Sequence, residues 1–294
     1  MRALLLMALA ARAIVAADVQ VDHVTVCGTS VKQLEAQLEA IRIPSVYGGA
    51  HTNKTTEMAL VSLPDGSYLE LMGIQSSATP QLIDQHEWGK FLKTNAGPCA
   101  WALRSKAIPA EVTRLKTAGV PVGEPVRSGR TRPDGVKLDW ETLQIGNGPR
   151  GNFFPFLIHD STNRNDRAFP QKKPSTRDFK GVAKIVIAVR NLDDAIERYR
   201  KAFDQPPPLK QVDKDFGAQM ALMGGMPVVL AQPLTSDSWL ADRIERLGEA
   251  PCAFVLARTA GKYPAASHSR WFGTDISWFD ADKLGWRLGY EAAR

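Results

Sequence analysis

From Val21 the chain runs through Val24 and Val26, and this alternation predicts a strand with His23, Thr25 and Cys27 on the opposite face. Behind it, Val31, Leu34, Leu38 and Ile41 recur at helical spacing, with Ser30 and Gln33 as a capping box. Gly48-Gly49 then turns the chain into two strand-like stretches, residues 58–63 and 68–72, joined by the turn Pro64-Asp65-Gly66. The predicted unit is a strand, a helix and a run of strands.

The unit returns at Val182. Ile185, Ile187 and Val189 lead to Asn191, a predicted N-cap for a helix carrying Leu192, Ile196, Tyr199 and Phe203, and residues 228–230 close the unit as a strand. A closer echo joins Pro98-Cys99-Ala100-Trp101-Ala102-Leu103 to Pro251-Cys252-Ala253-Phe254-Val255-Leu256. Each copy follows a predicted linking helix, residues 80–94 in one half and 238–247 in the other. Equivalent placement makes duplication a stronger reading than chance. Four modules follow, near residues 20–75, 98–160, 181–233 and 250–291. They pair into two domains, 20–160 and 181–294, with the polar, proline-containing segment 161–180 as the linker. Module four is degenerate: no helical period stands out between Arg258 and Ser269, although residues 276–279 and 286–290 still read as strands.

At 294 residues, with 44% hydrophobic and 23% charged positions, the chain can fill two ordinary cores as a soluble globular protein. Net charge is +6, yet the basic residues are scattered and no nucleic-acid-reading motif accompanies them, so a solvated basic surface is the expectation. Residues 1–17 resemble a signal peptide, with Arg2 before an apolar run and small residues that allow cleavage after Ala13 or Ala17. Export is the expectation, against an alanine-rich extension, and the run is too short for a membrane span. Cys27, Cys99 and Cys252 are odd in number and lack CxxC spacing, which supports neither a disulfide framework nor a zinc knuckle; buried thiols are expected.

Several motifs carry a family likeness. Asp22-His23-Val24-Thr25-Val26, Gly48-Gly49-Ala50-His51 and Tyr68-Leu69-Glu70-Leu71 resemble the glyoxalase-like branch of the vicinal-oxygen-chelate (VOC) superfamily. Arg130-Thr131-Arg132-Pro133-Asp134-Gly135, Trp140 and Pro155-Phe156-Leu157-Ile158 resemble that branch's second module. The likeness covers most of residues 20–160 and weakens beyond 181. It implies an α+β fold of tandem βαβββ modules paired into two half-barrels, the second partly degenerate. It also implies a divalent metal ion (Zn, Mn, Fe or Ni) held on the first and last strands of a module. The family's chemistry spans isomerisation, epimerisation, ring-opening dioxygenation and thiol transfer, and some members only sequester a ligand.

Carried over position by position, His23 and Glu70 match the metal ligands of module one, whereas Ala100 and Lys184 replace the histidine and Phe156 and Val229 replace the carboxylate. Imidazole and carboxylate suit a borderline divalent ion, and His159 is the candidate third ligand. Glu70 is also the candidate proton-moving group. The alternative for His23 and Glu70 is a buried ion pair that outlived a lost metal. His51, Arg130, Arg132 and Trp140 are candidate substrate-binding residues. Arginines in the 127–132 loop could hold a carboxylate or phosphate, or could simply decorate a hairpin closed by Asp134-Gly135. Two function classes remain open: a metal-dependent lyase, isomerase or dioxygenase-type enzyme acting on a small oxygenated molecule, and a binding protein that holds a small molecule in the same cleft. A monomer or homodimer without nucleic-acid or membrane partners is expected.

Overall fold

Each half of the chain builds one curled eight-stranded sheet, and the computed structural model describes residues 20–293. The expected signal peptide, residues 1–17, lies outside the described residues. The first half runs β1 (Val21–Cys27), α1 (Val31–Ala40), β2 (Val46–Ala50), β3 (Thr56–Ser62), β4 (Tyr68–Ile74), α2 (Pro80–Gln85), α3 (Gly89–Lys93), β5 (Gly97–Arg104), α4 (Ile108–Thr117), β6 (Val126–Thr131), β7 (Lys137–Leu143) and β8 (Phe156–Asp160). After α5 (Arg164–Ala168) come β9 (Phe179–Ala188), α6 (Leu192–Phe203), β10 (Leu209–Asp213), β11 (Ala218–Leu222), β12 (Val228–Pro233), α7 (Trp239–Leu247), β13 (Ala250–Arg258), β14 (Ser267–Trp271), β15 (Thr274–Trp278), α8 (Ala281–Leu284) and β16 (Arg287–Ala292).

The sheets have the same strand order, β2-β3-β4-β1-β5-β8-β7-β6 and β10-β11-β12-β9-β13-β16-β15-β14. β1 lies parallel to β4 and antiparallel to β5, and β9 is flanked by β12 and β13 in the same senses. Two four-stranded modules therefore meet back to back in each sheet, which is the tandem βαβββ arrangement expected. Alternation decides which side chains face the cleft. Val24, Val26, Leu69 and Leu71 turn to the convex face and pack with Leu34 and Leu38 of α1 in a core shared by both halves. Each such side chain contributes about 1.5–3 kcal/mol by burial. The neighbours left over, His23, Thr25, Tyr68 and Glu70, face the concave side.

Several local expectations change. Ser30 is the N-cap of α1, but its side chain makes no capping bond; Asn191 does cap α6, accepting from the Asp194 N–H at 3.0 Å. The single linking helix over 80–94 is broken at His86 into α2 and α3. Gly48 and Gly49 lie within strand β2 rather than a turn, at a register shift where Gly49 takes φ +109°. In module four a loop, residues 259–266, replaces the helix, yet all four strands form, including the unexpected β14. The degeneracy is confined to the helix.

Cys27 and Cys99 form a disulfide across the seam of β1 and β5, which corrects the expectation of three buried thiols. No sequence spacing announces it, because neighbouring strands bring together residues 72 apart. Cys252 occupies the place of Cys99 in the second half, where Ala188 stands in the place of Cys27, so this thiol stays free and buried. Its pKa rises to about 12 through burial. One buried guanidinium joins the halves at the central strands: Arg243 of α7 donates to the carbonyls of Ala96 (2.7 Å), Pro98 and Pro251 (2.8 Å), and burial lowers its pKa to about 10.

Candidate functional site

The concave face of the first sheet encloses a cavity of about 250 Å³. Glu70 on β4 lies beside Thr25 on β1, in register with it, and accepts its hydroxyl at 3.1 Å. Two imidazoles converge on the same carboxylate. His23 Nε2 is 3.8 Å from Glu70 Oε2, and His51 Nε2, from the loop after β2, is 3.6 Å from Oε1. Burial would raise the Glu70 carboxyl, but the close approach of His51, positive charge on His23 and His51 and the Thr25 hydroxyl bring it down to about 2. Glu70 is therefore an anion throughout the neutral range, a weak proton acceptor and a strong charged ligand.

A buried network orients His23. Asp22 is fully buried, and its Oδ1 accepts from His23 Nδ1 at 2.6 Å, which leaves the lone pair of a neutral imidazole on Nε2, toward Glu70. Burial opposes ionisation of Asp22, yet Arg167 and His23 hold its carboxyl well below the usual range. Arg167 makes paired bonds of 2.9 Å to both Asp22 oxygens and further bonds to Asp160 (2.5 and 2.7 Å) and the Tyr68 hydroxyl (2.5 Å). Arg164 adds a bond to Asp22. Both arginines sit on α5, in the segment expected to be a plain linker. The imidazole also stacks on Tyr68, with centroids 4.9 Å apart and planes 8° from parallel. Sequence reasoning missed this support; its only signal was a pair of arginines, 164 and 167, spaced to share a helix face.

The other candidates separate. Arg130 lines the cavity at 5% exposure; its Nη1 donates to Gly48 O at 2.7 Å, clasping edge strand β6 to edge strand β2, and its Nη2 has no partner. Burial lowers its pKa. Trp140 lines the same wall. Arg132, past the end of β6, is instead held by Asp134 (2.5 Å) and by the carbonyls of Asp166 and Pro170 (2.9 and 2.5 Å), away from the cavity lining. His159 is not brought to Glu70 either. Phe156 and Ile158 of β8 face the cavity, so alternation turns His159 to the other face, where Nδ1 meets Ser105 O at 2.9 Å. Two lining residues had drawn no such expectation. His86 stands at the break between α2 and α3, its pKa lowered by burial, and Arg150 lies 5.1 Å from the Phe156 ring with its Nη2 on Glu87 at 2.8 Å.

The second sheet fills the equivalent space with side chains. Lys184 stands in the place of His23 and forms a buried ion pair with Glu291, while Val229 replaces Glu70. Phe216, Trp271 and Trp278 pack ring against ring among Val186, Met220 and Val255, all nearly or fully buried. Gln211 of β10 clasps the edge of β14, donating to Arg270 O (2.6 Å) and accepting from Phe272 N–H (2.7 Å).

Residues 21–203 match the glyoxalase-like domain family, well over half of the chain. The chain belongs to the glyoxalase-like branch of the VOC superfamily. A hypothetical protein from Staphylococcus aureus shares the two-half architecture of this glyoxalase-like chain. That crystal structure matches at 15% identity and TM-score 0.65, over 93% of this chain and 99% of the other. Methylmalonyl-CoA epimerase from Mycobacterium tuberculosis matches at 18% identity and TM-score 0.35, over 40% of this chain and 91% of its own. No curated protein matches.

The glyoxalase-like family implies a divalent ion, and the donors here suit one chemically. Two imidazole Nε2 atoms lie beside the two oxygens of one ionised carboxylate, and two bonds of about 2.0–2.2 Å to a common ion would place ligand atoms roughly 3–4 Å apart. The 3.6 and 3.8 Å separations fall in that range. Among the described residues no group of three or more His, Cys, Asp or Glu is arranged so that it could hold a metal ion, His23, His51 and Glu70 included.

Proposed function

We propose that the first-half cleft holds a divalent ion on His23, His51 and Glu70 and acts on a small oxygenated molecule, as an enzyme of the lyase, isomerase or dioxygenase type. One observation carries this reading: His23 Nε2 and His51 Nε2 lie 3.8 and 3.6 Å from the Glu70 carboxylate, with His23 held by Asp22 and Glu70 by Thr25, so that neutral imidazoles would present lone pairs to a cation beside an anion. His51 replaces His159 as the third donor. A bound ion would polarise a substrate carbonyl or enolate oxygen as a Lewis acid. The chain's own residues do the rest. Thr25 and Asp22 keep the donors oriented, Trp140, Phe156 and Met58 exclude water from the apolar wall, and Glu70 supplies the negative charge that retains the cation. At a pKa of about 2, Glu70 serves as ligand rather than as general base.

The Cys27–Cys99 disulfide supports export to an oxidising compartment, in keeping with the apolar segment before Ala17. Among the described residues no helix is long and apolar enough to cross a membrane.

Elemental analysis of protein equilibrated with Mn or Zn and then desalted tests the ion. The expected result is about one ion per chain, reduced at least tenfold by Glu70→Ala or His51→Ala. Wild-type protein that retains no ion, or variants that load fully, would leave sequestration of a small molecule without metal as the better reading.

A further inference from the structure

Arg130 is charged and 95% buried by its 5% exposure, and no carboxylate lies within ion-pair distance of it among the described residues. The other charges lining the cavity are matched. Arg167 is neutralised by Asp22 and Asp160, Arg150 by Glu87, and Glu70 faces His23 and His51. Arg130 Nη2 and Arg150 Nε are both unmet buried donors on the cavity wall, but of the two only Arg130 also lacks a carboxylate partner among the described residues. Burying a charge with no ion-pair partner, offset only in part by the more distant Glu70 carboxylate, is costly, so its retention points to an anionic group that arrives with the ligand. With one N–H of Nη1 committed to Gly48 O, Nη2 is the terminal nitrogen left without a partner, and it brings a single positive charge. That suits a singly charged carboxylate better than a doubly charged phosphate, which needs several donors. Around it the wall is apolar, with Met58, Trp140, Phe156 and Ile158.

We infer that the cleft takes a small carboxylic acid with an apolar body, its carboxylate held by Arg130 Nη2 and its apolar part against Trp140 and Phe156. This rests on the reading of the first-half cleft as the binding site, and it names the substrate class. The carboxylate anchor and the ion are separate features, so they can fail separately.

Titration calorimetry with benzoate, benzamide and phenyl phosphate tests the inference, run on the intact chain both chelator-treated and Mn-loaded. Benzoate is expected to bind at least about tenfold more tightly than benzamide in both states. That ratio should fall to about one in Arg130→Gln and recover in part in Arg130→Lys. The wild-type ligand series stands without the variants should the loss of the β6–β2 clasp unfold Arg130→Gln. Equal affinity for benzoate and benzamide, a preference that survives Arg130→Gln in a folded protein, or tighter binding of phenyl phosphate would each overturn the assignment. Benzoate discrimination in a protein that retains no ion after Mn loading would uphold the carboxylate anchor while removing the metal reading. Full ion loading together with benzoate binding that does not depend on Arg130 would do the reverse.

Discussion

Where β1 carries His23, β9 carries Lys184, and where β4 carries Glu70, β12 carries Val229. Strand order, parallel and antiparallel neighbours and the central Pro-Cys-Ala strand are the same in both halves. The concave faces nevertheless differ in what occupies them. In the first, polar groups are oriented by partners beneath them and left open to a cavity; in the second, a Lys–Glu pair satisfies itself and three aromatic rings close the space. One sheet architecture thus accepts either a site or a core, and the choice is made by a few inward-facing positions.

Four perturbations would sharpen or break this contrast, beginning with the largest. Trp271→Ala empties the middle of the second half's aromatic plug and should cost about 3–5 kcal/mol in denaturant unfolding, with ion stoichiometry unchanged in the folded fraction. A loss of ion binding in folded Trp271→Ala protein would show that the halves are functionally coupled. Glu291→Ala, which strands a buried Lys184, should cost about 3–5 kcal/mol, whereas Lys184→Met combined with Glu291→Leu should be nearly neutral or stabilising by the same assay. Reduction of Cys27–Cys99, or Cys27→Ser with Cys99→Ser, should cost about 2–4 kcal/mol; Cys252→Ser, at the matching place, removes no cross-link and should cost less.

Acid gives the last and smallest contrast. The Glu70 carboxyl is depressed from 4.5 to about 2 in the folded protein, so the stability it contributes is complete above about pH 4.5 and is lost as pH falls toward 2. Wild-type melting temperature should therefore drop more steeply between pH 4.5 and 2.5 than that of Glu70→Gln. Parallel curves would contradict the ionised, hydrogen-bonded carboxylate described here.

Much of this was legible in the residues because period-two alternation directly reports a face. His23, Thr25 and Glu70 could be assigned to one side of their strands before any geometry, and the paired Pro-Cys-Ala segments marked the two central strands. What stayed hidden depended on long-range closure. His51 reaches Glu70 only because the sheet curls and carries the loop after β2 over the cavity. Arg130 and Arg132 look alike in sequence, yet one ends in the cavity and the other, one residue beyond the strand, in a carbonyl cage. His159 was expected just past the closing strand, but β8 runs through it and its parity there faces away. The aromatic plug went unseen because β14, with its serines, histidine and arginine, has no apolar alternation to announce it.

The central claim is that one half of a duplicated sheet is a site and the other is a core. Anomalous diffraction from crystals soaked in Mn tests it most directly. The account predicts one strong peak per chain, between His23, His51 and Glu70, and none between Lys184 and Glu291. A peak in the second half, or none beside Glu70 at saturating Mn, would contradict it.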